Sequence, residues 1–433
     1  VVAEDVTLVA WIPDSHRFLA VHETTVATWE EAASVLTSEQ RDALISLSDR
    51  LREELLAFSG DWNAFEPETL KNLSGGTGAA LLLYVRDHRR EGLPEKLGEH
   101  WKDTENLTAT VWRVETHEAS DAGATPGPVL LRTLDEIGEL RISPDGEFVA
   151  CVQTISADDP TILQLSVLPI RGGLPKTVAE RVAAYPDWTP DGKSLVYATT
   201  HAWPVAGSDS LLLGAVARRQ VRDASGALLD EFPEPVDLVG TVFIPQMKIR
   251  CLPDGRILFS GMEVTLPSTS GDMPQRASLF SIDPERQPTV TRVIPREVEA
   301  RLPGGLATGC FELSPDAKRI VVAEEGDTNS MVVLTLATGD VVPVLTEVNP
   351  RTESVPAWRT AQELSFVAPP KTKGGSPDRH ELVLWSGPDQ TRCLSCDWPA
   401  LFGDATPASN PAEESSGAGT QAVPVHSVPS QAD

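Results

Sequence analysis

A short motif recurs along this chain and constrains its fold more than any other feature of the sequence. Its clearest copy, residues 187–198, reads DWTPDGKSLVYA. Proline presets φ at the start of a turn, aspartate bonds the backbone two residues on, and glycine takes the positive φ that closes a hairpin. Each copy therefore predicts a strand, a tight turn and a second strand. The further copies have Pro-Asp at residues 13–14, 144–145, 253–254 and 315–316, and a worn copy lies at residues 358–361.

The spacing of the copies indicates a repeated sheet. The interval between the Pro-Asp pairs at residues 144 and 190, and that from residue 315 to the worn copy at 358–361, are near the roughly 40–50 residues of a four-stranded propeller blade. The intervals 13 to 144, 190 to 253 and 253 to 315 are wider and indicate insertions. A third strand can be assigned after most copies, as at residues 162–168 and 331–336, and a fourth often follows. The chain therefore reads as a series of small antiparallel sheets.

The Trp-x-Pro-Asp-Gly pattern followed by an apolar strand resembles the TolB-type, WD-like propeller repeat of bacterial proteins. The resemblance covers roughly residues 5–400 and implies one blade for each copy, hence six blades. The same repeat occurs in the propeller domains of prolyl-oligopeptidase-like enzymes, so it implies a fold rather than an activity.

We therefore predict an all-β fold, a six-bladed β-propeller at residues 1–402. A helical insertion at about residues 23–78 interrupts blade one, and a strand at residues 80–85 resumes it. Residues 403–433 contain almost no large apolar side chain and cannot bury enough surface to order the backbone. A disordered tail is predicted there.

The predicted insertion carries two helix-start signals and one apolar stripe. Thr28 and Thr37 are followed three residues later by Glu31 and Gln40, which is the capping-box pattern that opens a helix. The second helix places large apolar residues at three- and four-residue spacing, so one of its faces is apolar. This face either packs on the propeller itself or docks a partner protein. The residues of the docking hypothesis are Trp29, Leu44, Leu47, Leu51, Leu55, Phe58, Trp62 and Phe65.

The net charge limits the partners. With 63 acidic and 36 basic residues the formal charge is −27, which disfavours binding to nucleic acid or anionic lipid. Other proteins, as subunits of a larger complex, are therefore the expected partners. The sequence has no run of about 18 apolar residues that would span a membrane. Because the chain starts at Val1 without methionine, we expect a processed start, room for a membrane tether upstream, and a periplasmic or cell-envelope location.

Residues that carry chemistry are few and scattered. A prolyl-oligopeptidase-type hydrolase needs a Gly-x-Ser-x-Gly turn in a further α/β domain, and the sequence has neither. The eight histidines form no HExxH motif and no helical pair, so each is interpreted as a surface or hydrogen-bonded residue. Five cysteines indicate no disulfide framework, and Cys393 and Cys396 of the CxxC are interpreted as structural rather than as a redox pair or half a zinc site. We therefore predict no catalytic, cofactor-binding or metal-binding residue.

The inner strands of a propeller line its central channel, and here they carry a mixed set of charges. Such a set permits a polar ligand or an ion but specifies neither. We therefore predict a non-enzymatic scaffold or recognition module that mediates protein–protein interactions in a bacterial envelope assembly. The alternative is an enzyme or a small-ligand-binding protein that uses the central channel. The predicted channel residues are Glu139, Arg141, Asp187, Lys248, Arg250, Glu312 and Glu353.

Overall fold

The structure is a computed structural model that describes most of the chain before residue 394. The described residues are 6–13, 16–60, 67–71, 73–92, 107–120, 123–155, 163–182, 186–203, 211–242, 248–263, 276–286, 289–299, 306–324, 331–344, 356–368, 381–387 and 390–393. The predicted tail at residues 403–433, together with Trp62, Phe65 and Glu353, lies outside them.

Antiparallel β-strands dominate the described part of the chain, as the repeat predicts. The first sheet contains β1 (Val6–Trp11), β2 (Arg17–Val26), β3 (Ala109–Ser120) and β4 (Gly123–Thr133). The second sheet contains β5 (Ile137–Ile142), β6 (Phe148–Thr154), β7 (Leu163–Pro169), β8 (Lys176–Val182), β9 (Asp187–Trp188), β10 (Ser194–Trp203), β11 (Leu211–Gln220) and β12 (Val236–Val242). Its two halves are joined where Val182 pairs with Thr199.

Three further sheets of four strands each follow in chain order. The third contains β13 (Ile249–Cys251), β14 (Ile257–Glu263), β15 (Arg276–Ile282) and β16 (Thr291–Arg292). The fourth contains β17 (Leu306–Leu313), β18 (Arg319–Glu324), β19 (Met331–Thr335) and β20 (Val341–Pro343). The fifth contains β21 (Ala357–Trp358), β22 (Leu364–Ala368), β23 (Glu381–Gly387) and β24 (Gln390–Cys393). Apolar side chains on facing sheets form the core between neighbours.

The Pro-Asp motifs form the tight turns that the sequence predicts. After β5, Asp145 Oδ1 accepts a hydrogen bond from the Glu147 amide at 3.2 Å, and Gly146 takes a φ of +70°. The same aspartate contact recurs at Asp191, whose Oδ1 accepts from the Lys193 amide at 3.0 Å. In the turn after β17, Ala317 stands in the glycine position and still adopts a φ of +54°. The turn geometry therefore persists where glycine has been lost.

Among the described residues between β2 and β3, three segments are helical, namely α1 (Trp29–Ala33), α2 (Ser38–Ala57) and α3 (Gly75–His88). A fourth, α4 (Arg296–Glu299), is a single turn. Both predicted capping boxes are present at Thr28 and Thr37. No helix in the described ranges is both long and apolar enough to cross a membrane.

The predicted strand at residues 80–85 is wrong, because this segment belongs to α3. A short continuous apolar run has no periodicity that separates a buried strand from a buried helix. Ser74 caps the helix by accepting from the Thr77 amide at 3.1 Å, and the alanines and leucines that follow favour a helix. The third strand of the first sheet is instead β3, which starts at Ala109.

Tryptophan side chains connect the first strands of successive sheet units. Trp188 on β9 donates from Nε1 to the Arg141 carbonyl on β5 at 2.8 Å, and Trp358 on β21 donates to the Glu312 carbonyl on β17 at 3.1 Å. Trp11 on β1 precedes its Pro-Asp pair at the same distance as Trp188 does, so the repeat predicts that it also packs between sheets, but it is 59% exposed. The interpretation of that residue as a core residue is therefore wrong.

Candidate functional site

Six charged residues from the first strands of four neighbouring sheet units come together, and we call them the first-strand charge cluster. Glu139 and Arg141 lie on one face of β5 and Asp187 on β9, while Lys248 and Arg250 flank the first residue of β13 and Glu312 lies on β17. Residues two apart on a strand point to the same face, so each strand offers its charges to a common side. The cluster is Glu139, Arg141, Asp187, Lys248, Arg250 and Glu312.

Glu312 is the carboxylate on which two buried cations converge. Lys248 and Arg250 are only 1% and 4% exposed. Lys248 Nζ donates to Glu312 Oε1, and Arg250 Nη2 donates to the same oxygen at 3.2 Å. A buried charge is tolerated only when it is paired and hydrogen-bonded, so Glu312 makes the burial of both cations possible.

The pKa shifts show that the cations control this part of the cluster. Burial alone would raise the pKa of Glu312, but Arg250, Lys248 and Arg141 lower that pKa to about 2. Burial, and then repulsion from Arg250, lowers the pKa of Lys248 to about 8 in spite of Glu312. For Glu139, burial outweighs the nearby cations and raises the pKa. The paired cations therefore keep Glu312 ionised.

Arg141 is the member of the cluster that is paired least well. Its Nε lies 3.7 Å from Glu139 Oε1 and 3.8 Å from Asp187 Oδ1, and it makes no hydrogen bond with the described residues. Asp187 is already engaged, since its two oxygens accept from the backbone amides of Trp188 at 3.0 Å and Cys251 at 2.8 Å. A buried N–H group without an acceptor is costly, so this position favours an added acceptor.

The sequence analysis missed a second cluster, which lies in the first sheet. His22 on β2 and Glu115 and His117 on β3 are 7%, 8% and 4% exposed. The two Nε2 atoms lie 3.2 Å apart, and Glu115 Oε2 lies 3.6 Å from each of them. The sequence analysis did not recognise that two of the histidines meet, and the structure shows that this trio could hold a metal ion.

One signal in the sequence could have drawn attention to this trio. Glu115 and His117 are two apart in a β-rich segment, which places both side chains on one face of a strand. His22 is 95 residues away from His117, so only the pairing of β2 with β3 brings it close. The erroneous strand at residues 80–85 concealed that pairing.

The residues of the docking hypothesis are mostly interior to the helical segment. Trp29, Leu44, Leu51 and Leu55 are buried in one cluster together with side chains of α3, and Leu47 packs partly buried against the same cluster. Phe58 is the C-cap of α2. Partner docking on this segment stays a prediction, and the four buried side chains are not the surface that a partner would touch.

Cys151 and Cys393 differ in whether their sulfur atoms form a disulfide bond. Cys151 is buried without a disulfide, and burial raises the pKa of its thiol to about 12, so it is unreactive. Cys393, at the end of β24, is disulfide-bonded. The sequence analysis, which found no sign of a disulfide framework, did not predict this bond.

Comparison with known proteins gives matches among solved structures. No family model matches this sequence, and none of the curated proteins does. A puromycin hydrolase matches with 16% identity, covering 66% of this chain and 43% of its own, at a TM-score of 0.42. The β-propeller domain of the Trilobed protease from Pyrococcus furiosus matches with 12% identity, covering 67% and 75%, at 0.39. An acylaminoacyl peptidase from Pyrococcus horikoshii matches with 12% identity, covering 66% and 41%, at 0.40.

These matches support a β-propeller fold but not the TolB-type family that the repeat resembles. They also contradict two predictions, the non-enzymatic scaffold and the absence of enzymatic activity, because the matched proteins are peptidases. Both predictions are withdrawn. The matched part spans less than half the length of the puromycin hydrolase and of the acylaminoacyl peptidase. At 12–16% identity the likeness concerns the fold, and no reaction is carried over from it.

Proposed function

We propose that the chain is a six-bladed β-propeller whose central channel binds the carboxylate group of a small molecule or a peptide end. The 24 strands of the described ranges group into six consecutive sets of four, with β5–β8 and β9–β12 as two blades that share one ladder. The first strand of each set is then the inner strand, and the first-strand charge cluster lines the channel.

Contacts between first strands support this arrangement. Trp188 bonds the backbone of β5, Asp187 bonds the Cys251 amide of β13, and Arg250 reaches Glu312 on β17. Inner strands of neighbouring blades approach one another in this way because each blade is a wedge around a common axis. We also propose that the first and last blades meet and close the ring.

The observation that carries the ligand assignment is the unmet hydrogen-bonding capacity of Arg141. The guanidinium group presents a planar fork that matches a carboxylate, and the two carboxylates beside Arg141 Nε lie at 3.7 Å and 3.8 Å. A ligand carboxylate would reach the guanidinium group through the accessible part of the Arg141 side chain, which is 27% exposed. Lys248 and Arg250 are already paired with Glu312, so Arg141 is the cation of the cluster that remains for a ligand.

Binding measurements can test whether the protein recognises the carboxylate group rather than the rest of the ligand. The probes are glycylglycine and N-acetylglycine, each compared with its C-terminal amide, with binding measured by calorimetry. We expect the free acids to bind and the amides to fail. Arg141→Gln should weaken binding of the acids by about tenfold or more, because a hydrogen bond to a charged group contributes about 1.5–3 kcal/mol.

A matched control is Arg171→Gln, since Arg171 is an 81% exposed arginine that pairs with Glu147 on the surface. This variant should bind the acids like the original protein. Equal binding of acids and amides, or undiminished binding by a folded Arg141→Gln protein, would refute the carboxylate site. A cell-envelope location also remains a proposal, which the disulfide at Cys393 supports because disulfides persist in oxidising compartments.

A further inference from the structure

The trio in the first sheet is held together by strand pairing. Phe18 pairs with His117, Ala20 with Glu115, and His22 with Arg113 across β2 and β3. Because these pairs alternate with pairs that face the second sheet, His22, Glu115 and His117 share the opposite face. On β2, Ala20 lies between His22 and Phe18, the residue that pairs with His117 on β3, and its small side chain leaves room for the two histidine rings to converge.

The distances within the trio do not suit hydrogen bonds alone. One hydrogen bond can join the two Nε2 atoms at 3.2 Å, but Glu115 Oε2 lies 3.6 Å from each of them, beyond ordinary hydrogen-bond length. His117 Nδ1 is also buried without a partner among the described residues. Three ligand atoms therefore face a common point that no described side chain fills.

The same distances suit a shared metal ion. Three atoms separated by 3.2, 3.6 and 3.6 Å all lie about 2 Å from their common centre, which is the length of zinc–nitrogen and zinc–carboxylate bonds. Two imidazoles and one carboxylate form a donor set that zinc binds in proteins, with a fourth position left for water or another ligand.

Neighbouring side chains hold the donors in place. Phe18 stacks on the His117 ring with centroids 5.1 Å apart and planes 12° from parallel. Arg113 Nε lies 2.7 Å from Glu115 Oε1, as an ion pair whose N–H is not aligned for a hydrogen bond. This contact leaves Oε2 turned toward the histidines. Supporting contacts of this kind fix the orientation of metal ligands.

We propose that His22, Glu115 and His117 bind one divalent transition-metal ion, Zn²⁺ in the first instance, through Nε2, Oε2 and Nε2. The site is independent of the channel ligand. An open cavity of about 460 Å³ adjoins it, because Arg113 both contacts Glu115 and lines that cavity together with Thr24, Glu30 and Arg132. The fourth position of the ion is the place at which a water molecule or another ligand would bind.

The test uses the full chain, freed of metal with a chelator and then titrated with Zn²⁺ and, separately, with Co²⁺. We expect one equivalent of Zn²⁺ to bind, and Co²⁺ to give the intense visible absorption of a tetrahedral site. His117→Gln and Glu115→Gln should each weaken Zn²⁺ binding by at least about 100-fold, since changes to supporting residues alone cost 10–100-fold.

The matched control is His88→Gln, because His88 and Glu30 form a histidine–carboxylate pair at 3.8 Å on the surface. This variant should bind Zn²⁺ like the original protein. Absence of saturable binding, or binding that His117→Gln and Glu115→Gln leave unchanged, would overturn the proposal. If either variant fails to fold by circular dichroism, the Co²⁺ spectrum of the unaltered protein decides, and a spectrum without tetrahedral bands refutes the site.

Discussion

The first-strand charge cluster and the trio of the first sheet are both buried and polar, yet they differ in how their polar atoms are satisfied. Around Glu312, charges of opposite sign from neighbouring strands neutralise one another. Around Glu115, the two histidines lie 3.6 Å from the carboxylate oxygen and leave a point between them unfilled. The first arrangement stabilises contacts between sheets, whereas the second gains its full value only with an added ion.

The largest expected change in stability comes from breaking the ion pairs of Glu312 in the first-strand charge cluster. Glu312→Gln leaves Lys248 and Arg250 buried without their counter-charge, and removing one partner of a buried pair costs about 3–5 kcal/mol. Urea unfolding should show this loss. Glu147→Gln, which breaks the exposed pair with Arg171, should change the stability by less than about 1 kcal/mol. If both variants lose the same stability, the ion pairs of Glu312 contribute no more to stability than an exposed pair on the surface.

The pH dependence of the unfolding free energy also tests whether Glu312 is ion-paired in the folded protein. The folded pKa of Glu312 is about 2, below its ordinary value of 4.5, so its contribution is complete above pH 4.5 and is lost as the pH falls toward 2. At 1.36 kcal/mol per unit of pKa this amounts to about 3 kcal/mol. Urea midpoints at several pH values between about 2.5 and 6 should fall more steeply for the original protein than for Glu312→Gln. Parallel curves would mean that Glu312 is not paired in solution.

The smallest effect is expected in the trio without metal. His117→Phe keeps a ring stacked on Phe18 and removes only weak polar contacts, so the metal-free protein should lose less than about 2 kcal/mol. Thermal unfolding should also show that Zn²⁺ stabilises the original protein but not this variant. If metal-free His117→Phe loses as much stability as Glu312→Gln, the polar atoms of the trio already stabilise one another without a metal ion.

Much of the fold was predictable because its signals are local. The turn at Asp191 and the helix caps at Thr28 and Thr37 depend on residues within five positions of one another, and all three are present. The first-strand charge cluster was also predictable, because the repeat fixes which strand carries Glu312. The structure brings the six described members of that set together.

What the sequence could not provide depends on contacts distant in the chain. The apolar run at residues 80–85 has no periodicity that chooses between strand and helix, and its packing against α2 and β3 selects the helix. That choice moves the third strand of the first sheet to Ala109–Ser120, and only then does His117 meet His22. The trio therefore could not be predicted from the sequence before the pairing of β2 with β3 was known.

The hydrogen-bonded join between Val182 and Thr199 has a consequence for how the protein opens. In proteins made of repeated units, each unit contributes its own stability and is coupled to its neighbours through the interfaces between them. Units that contact only through side chains can exchange their amide protons separately, but the two halves of β5–β12 are also joined by a backbone pair, Val182 with Thr199. This stretch is therefore suited to unfold and refold as one cooperative block, twice the size of any other in the described part of the chain.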